Sequence, residues 1–258
     1  MGVTKPVYPM DITGKTENGK TIKIFYEGIR IPKISKILQP KDMLFTLIDI
    51  YDDFEKYLSN WFTNMERLKL AYDFYFSTLY ATSMYIEYEF LSIAYAMEAY
   101  HRAMHGGVYL TKNEYKPLYK IFIKSIPKEI ESVGKKISIN PDFEQSLKEK
   151  LNYMYEFPLR KRLEEILEKC GDVADFLIHN KKEFIKDVKD TRNRLVHPEV
   201  KTDQVRKKGV DLYVLRQKMK FLIEICFLLE LGMSLEKIKA LVSRNQKYQH
   251  LAKQERNM

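Results

Sequence analysis

The sequence predicts an all-α protein, a helical bundle preceded by a short strand-like arm. From about Asp42 onward apolar residues recur at helical spacing. Gly and Pro stand where such helices would start or stop. The 258 residues suffice for a full core in one large domain. Residues 1–40 read differently. Thr21 to Tyr26 alternates like a strand, with Gly14, Gly19 and Gly28 as turn signals. That is too little for a stable sheet, so 1–40 is expected to be an arm or the remnant of a preceding domain, and 41–258 the helical domain.

The elements follow in order. A first helical stretch runs to about Leu70, aromatic residues recur from Tyr72 to Tyr100, and Gly106-Gly107 is a stop. Residues 108–139 mix short helical pieces with Pro117 and Pro127. Asn140-Pro141 has the N-cap plus first-turn proline form and opens a helix to about Phe157. Pro158 opens the next, to about Leu177, with Gly171 as a break. Asn180 caps a helix from Lys181, with Glu183 as its capping-box partner. Val210 to Leu231 is apolar on most sides and closed by Gly232, which makes it a core or oligomer element. A last helix starts near Ser234.

The dense rings from Tyr72 to Tyr95 surround their helix, which favours packing over base stacking. Cys170 and Cys226 suit a reduced compartment better than a disulfide scaffold. His101 and His105, four residues apart, are the nearest approach to metal-ligand spacing, and no further ligand accompanies them, so no metal and no cofactor is expected. The most membrane-like stretch, Phe74 to Ile86, is too short to span a bilayer, and no signal-peptide pattern opens the chain. A cytoplasmic location without membrane contact is expected.

The stretch Thr191-Arg192-Asn193-Arg194-Leu195-Val196-His197-Pro198 carries the chemistry. At about 100° per residue, Phe184, Ile185, Val188, Leu195 and Val196 share one arc with Arg192 in its middle. A cation on an apolar stripe needs an anion, from a protein or a phosphate. Pro198 pushes His197 out of the helical region, to a helix end whose dipole favours the imidazolium. Arg192, Asn193 and His197 therefore suit acid–base chemistry on a phosphodiester. The plainer alternative is an ordinary helix end with a capping His and a snorkelling Arg.

R-N-x-x-x-H ending an amphipathic helix in an all-helical chain resembles the R-x(4–6)-H signature of HEPN domains. FLSIAYAMEAYHRAMHGG, from Phe90 to Gly107, is similar to the first long helix of the ApeA-like branch found in bacterial antiphage systems. The likeness covers about residues 85–230. It implies a HEPN-like bundle, and a separate domain before it for which this chain is short, as in a truncated or divergent member. It also implies a metal-independent endoribonuclease of antiphage or toxin type. The RNA 2′-hydroxyl would attack, His197 would move the proton, Arg192 would hold the phosphorane and Asn193 a phosphate oxygen or the His ring, leaving a 2′,3′-cyclic phosphate. A homodimer would bring two motifs into one cleft. The RNA could be a tRNA or another structured RNA, and an antitoxin or a nucleotidyltransferase could be a partner. The alternative is a non-catalytic HEPN module that binds a nucleotide or a protein.

Three further readings attach to the motif. Arg244 to His250 also fits the pattern, but Arg244 lies off its helix's apolar arc and His250 in a polar stretch expected to be a solvated tail. Glu98 sits on a partly polar seam with Glu87, His101, Arg102 and His105; a local Glu98–Arg102 pair is the simpler reading, and support of Arg192 or His197 from across the bundle the other. The chain carries net charge +9, and its excess is concentrated in 201–220, where Arg206, Lys207 and Lys208 are candidates to grip an RNA backbone.

Overall fold

The computed structural model describes residues 12–24, 39–81, 83–132, 135–197 and 207–256. Within them two short hairpins accompany ten α-helices, and the expected all-α class holds. The strands β1 (Ile12–Lys15) and β2 (Thr21–Ile24) pair antiparallel through the turn at Gly19, whose φ of 76° favours glycine. Tyr26 and Gly28, also read as part of the arm, lie outside the described residues.

The bundle begins with α1 (Leu47–Ile50) and α2 (Phe54–Tyr80), followed by α3 (Ile86–His105). The aromatic run therefore spans two helices rather than one band, with the break at Ala81, whose backbone turns extended. Among the described residues α2 and α3 share the most extensive interface, and α3 also packs on α8 (Gly209–Glu230). Phe90, Ile93, Ala94, Met97 and Tyr100, at i, i+3, i+4, i+7 and i+10, put the inner face of α3 wholly inside. Each such large side chain contributes about 1.5–3 kcal/mol relative to leaving it in water. Gly106 and Gly107 end α3 with φ of 72° and 70°.

α8 is the centre. Leu212, Leu215, Met219 and an unbroken buried run from Phe221 to Leu228 are covered by helices of this same chain. Its apolar circumference is thus accounted for as core, which removes the need for an oligomer to cover it. Cys170 and Cys226 are free, fully buried in this core, with sulfurs 3.8 Å apart.

Between α3 and the second half lie α4 (Lys112–Lys124), the hairpin β3 (Glu129–Ser132) and β4 (Lys135–Ser138), and α5 (Pro141–Leu151). The hairpin departs from the expected helical pieces. Ile130 faces Ile137 and Glu131 faces Lys136 across it, a pairing that single-strand periodicity over four residues does not reveal. α5 is opened by Asn140, whose side chain accepts from Asp142 N–H at 2.8 Å, and stops six residues short of Phe157. The chain from Tyr155 to Phe157 instead pairs with residues 107–109, through Tyr109 N–H to Tyr155 and Phe157 N–H to Gly107.

Next come α6 (Leu159–Cys170), a 3-10 turn at Gly171–Phe176 and α7 (Lys181–Val196), both helices packed on α3 and α8. α9 (Leu235–Arg244) and α10 (Gln246–Arg256) close the end. Tyr248, Leu251 and Ala252 are buried, and Asn245 donates to the Met43 carbonyl at 2.9 Å. The supposed solvated tail is a packed helix: its polar residues cap and bridge, while three apolar ones at helical spacing dock.

Candidate functional site

The motif helix is positioned from both ends. Asn180 accepts from Glu183 N–H at 3.1 Å, and Glu183 answers the Asn180 side-chain amide at 3.0 Å rather than its backbone, so half of the expected capping box forms. Phe184, Ile185 and Val188 are buried as the arc requires, and Thr191 and Asp190 join them. Leu195 packs against the core from a half-buried position, but Val196, the last residue of α7, is 38% exposed.

Arg192 is half-buried and meets an anion of its own chain. Its Nη2 lies 3.6 Å from Glu98 Oε1, and its Nη1 lies 3.4 Å from Asn193 Oδ1. The local Glu98–Arg102 pair does not form. Arg102 reaches Glu156 instead at 2.9 Å, because the returning strand at 155–157 offers a nearer carboxylate. The Arg192–Glu98 contact is too long to be a hydrogen bond, so Arg192 Nε and Glu98 Oε1 remain buried without one. Asp190 Oδ1 shares that condition, though Lys189 Nζ stands 3.2 Å away. Such buried, unused polar capacity needs an explanation in any fold.

His197 caps α7 at φ −128°, ψ 73°, outside the helical region, and its N–H closes on the Asn193 carbonyl at 2.8 Å. The ring is exposed. Pro198, expected to force this exit, lies outside the described residues, as does Arg206. Lys207 and Lys208 are described. Lys207 N–H bonds Thr191 Oγ1 at 3.2 Å, which ties the start of α8 to the motif helix, and its ammonium stands 3.1 Å from Asp187. Lys207 is therefore partly neutralised, while Lys208 is exposed. A cleft of about 350 Å³ opens beside α7, lined among others by Asn180, Glu183, Asp187, Lys207 and Asp211, with neither Arg192 nor His197 in its wall.

The second Arg–His copy is used differently. Arg244 holds both carboxylate oxygens of Asp49, and His250 contacts Gln254 at 3.1 Å. Burial would raise the Asp49 carboxyl, but hydrogen bonds from Arg244 and Thr46 outweigh it and draw the pKa down to about 2.

A buried network beside Glu98 is not evident from the sequence pattern. Arg162 is 1% exposed and donates to the Phe157 carbonyl at 3.0 Å, to the Gly107 carbonyl and to His101 Nδ1, each at 3.2 Å. Since Arg162 can only donate, His101 Nδ1 accepts, and the proton sits on Nε2, which gives it to Glu165 at 2.8 Å. Burial pushes the His101 pKa down, with Glu165 opposing. Burial also lowers that of Arg162; Arg102 adds to this, while Glu98, Glu156 and Glu165 oppose it. Glu98 thus lies in the field of both Arg162 and Arg192. A Cβ at Gly107 would collide with Arg162 Nη1, so the second glycine of the stop was the available signal. Among the described residues no group of three or more His, Cys, Asp or Glu is placed to hold an ion.

The family model described as Apea-like HEPN matches residues 91–237 of the chain. The chain belongs to the ApeA-like HEPN family. No curated protein and no solved structure matches it. The matched span of the HEPN domain contains Glu98, Arg162 and the Arg192–His197 motif, and it ends before Arg244 and His250. No described helix of this HEPN chain is long and apolar enough to cross a membrane.

Proposed function

We propose that this HEPN chain is an endoribonuclease of a defence or toxin type, working through Arg192, Asn193 and His197. The observation that carries the reading is the unequal setting of the two key groups at one helix end. Arg192 is half-buried with an unused Nε, and His197 is exposed just beyond the last turn. A half-buried guanidinium is preorganised to receive the charge of a phosphorane. An exposed imidazole is open to a substrate, and general acid–base catalysis by such a ring contributes about 10²–10⁴-fold in rate.

The 2′-hydroxyl of RNA attacks its own 3′-phosphate and loses its proton to one imidazole. The 5′-oxygen of the next nucleotide leaves with a proton from another. One His197 cannot serve both ends of the step at once, so the functional unit is a homodimer with two motifs at one cleft. Glu98 positions Arg192, and Lys208 with the basic stretch before α8 guides the backbone. No metal enters the scheme, since nucleophile, base and acid are all supplied.

One observation favours a second reading. Arg192 already faces Glu98, as a structural arginine would. On that reading the chain is a HEPN binding module for a nucleotide, an antitoxin or a nucleotidyltransferase. End-group analysis separates the two. Incubation of RNA with the protein in EDTA should leave 2′,3′-cyclic phosphate and 5′-hydroxyl ends, and a strand with 2′-deoxyribose at the cut site should survive. Cleavage of the deoxy site, or no cleavage of any RNA, would remove the ribonuclease reading.

A further inference from the structure

A cavity of about 250 Å³ lies between the start of α4 and the chain that follows α5, with no residue of the Arg192–His197 motif in its wall. Three tyrosines form its apolar part. Tyr115 is 6% exposed and is anchored by its hydroxyl, which donates to the Leu151 carbonyl at 2.6 Å. Tyr119 and Tyr155 flank it from half-buried positions, their ring centroids 6.3 and 5.4 Å from that of Tyr115. Lys112, Asn113, Lys116 and Asn152 complete the wall. These polar groups are uncommitted. Among the described residues Lys112 and Lys116 form no ion pair, and the side-chain amides of Asn113 and Asn152 make no hydrogen bond. At about 100° per residue Lys112, Tyr115, Lys116 and Tyr119 share one face of α4. Glu114 lies on the opposite face, held there by Thr111, and no described carboxylate lines the cavity.

Those groups fix the chemistry of the occupant. Two free ammoniums one helical turn apart match a phosphate monoester, which carries about −1.5 to −2 charges at pH 7. The tyrosine rings suit a flat ring, which they can stack against or meet edge to face. Each asparagine offers both a donor and an acceptor, which suits the polar edge of a heterocyclic base better than a plain hydrocarbon ring. A nucleoside monophosphate combines all three features. A cavity of this size, near the lower end of small-molecule sites, takes one nucleotide at most. The site also backs onto the network behind Glu98. The Tyr155 carbonyl accepts from Tyr109 N–H at 2.7 Å, and the next residue, Glu156, pairs with Arg102.

We propose that this cavity binds a nucleoside monophosphate, free or as the 5′-phosphorylated end of a strand. Lys112 and Lys116 hold the phosphate, Tyr119 and Tyr155 face the base, and Asn113 and Asn152 meet its edge. The site is separate from the Arg–His motif and stands or falls independently of the ribonuclease reading. Isothermal titration calorimetry with AMP, adenosine and ribose 5-phosphate tests it. AMP should bind the wild type, and the two fragments should bind about tenfold more weakly or worse. Lys112→Gln and Lys116→Gln should each lose about tenfold in affinity for AMP, and Lys116→Arg should recover most of it. Tyr119→Ala should lose about tenfold and Tyr119→Phe should bind as wild type does. All of these positions are exposed or half-buried, and circular dichroism checks that each variant is folded. Arg192→Ala should bind AMP normally. A short 2′-O-methyl strand separates the two sources. Displacement of AMP by its 5′-phosphorylated form, but not by its 5′-hydroxyl form, assigns the site to strand ends, and displacement by neither assigns it to the free nucleotide. No binding of AMP by the wild type, equal binding of adenosine, or unchanged affinity in the Lys→Gln and Tyr119→Ala variants would overturn the site. Loss of AMP binding in Arg192→Ala would do so too, by moving the nucleotide to the motif.

Discussion

Glu98 on α3 and Arg192 on α7 meet across the bundle with 3.6 Å between Oε1 and Nη2. Ninety-four residues of chain separate them, and their approach depends on α3 and α7 packing side by side. At that distance the pair attracts without a hydrogen bond, and both side chains keep some access to water, at 27% for Arg192 and 19% for Glu98. An arrangement of this kind holds a guanidinium in place while leaving donors for another ligand.

The pair should be measurable as a coupling. Glu98→Gln and Arg192→Gln are each expected to cost about 1 kcal/mol or less, a fall in Tm of about 2–4 °C at most. The double variant should cost less than the two together, because neither charge is then left alone. Strictly additive losses in thermal unfolding would mean the two residues do not interact in solution.

Arg244→Ala should loosen the fold rather than the chemistry. Asp49 is an ordinary carboxylate when unfolded and titrates at about 2 when folded, so its contribution is present above pH 4 and fades as pH falls toward 2. Thermal melts should show the variant less stable than wild type at pH 7, with a smaller gap at pH 3. A gap that widens in acid would contradict the pairing.

His101 introduces a pH dependence of the same sign. Its folded pKa is depressed below 6.5, so the neutral ring stabilises the fold above that pH, and the contribution is lost as pH falls through and below it. His105, lowered by burial, adds in the same direction. Urea unfolding should find the wild type weaker at pH 5.5 than at 7.5. His101→Gln, which can still accept from Arg162 and donate to Glu165, should lose part of that slope. An identical slope in the variant would place the titration elsewhere.

The two lysines before α8 should behave differently. Lys208→Glu should weaken RNA binding and flatten its salt dependence by about one unit of slope or more, with no loss of stability. Lys207→Glu should also destabilise, because it puts a carboxylate beside Asp187 at the point where α8 is tied to Thr191. If both variants leave the salt slope unchanged, this end of α8 does not touch the backbone.

Much of this arrangement is legible in the sequence because it is local. The cap at Asn180, the glycine stops and the buried face of α7 follow from spacing within one helix. The Arg192–Glu98 pair is legible only as an alternative, since Arg102 offers Glu98 a partner one turn away and only the tertiary return at 155–157 removes it. The His101–Arg162–Glu165 network unites α3, α6 and a loop carbonyl, and no periodicity in any one of them records that. The β3–β4 hairpin is hidden by its length, with four residues in each strand. The role of Arg244 requires Asp49, 195 positions away, so its polar setting resembles a tail.

Cleavage of total RNA in EDTA by four single variants beside wild type tests the central claim most directly. Arg192→Ala and His197→Ala should each abolish cleavage while remaining folded by circular dichroism. Arg244→Ala and His250→Ala should cut as wild type does. Full activity in the His197 or Arg192 variant, or equal loss in the Arg244 and His250 variants, would contradict the account.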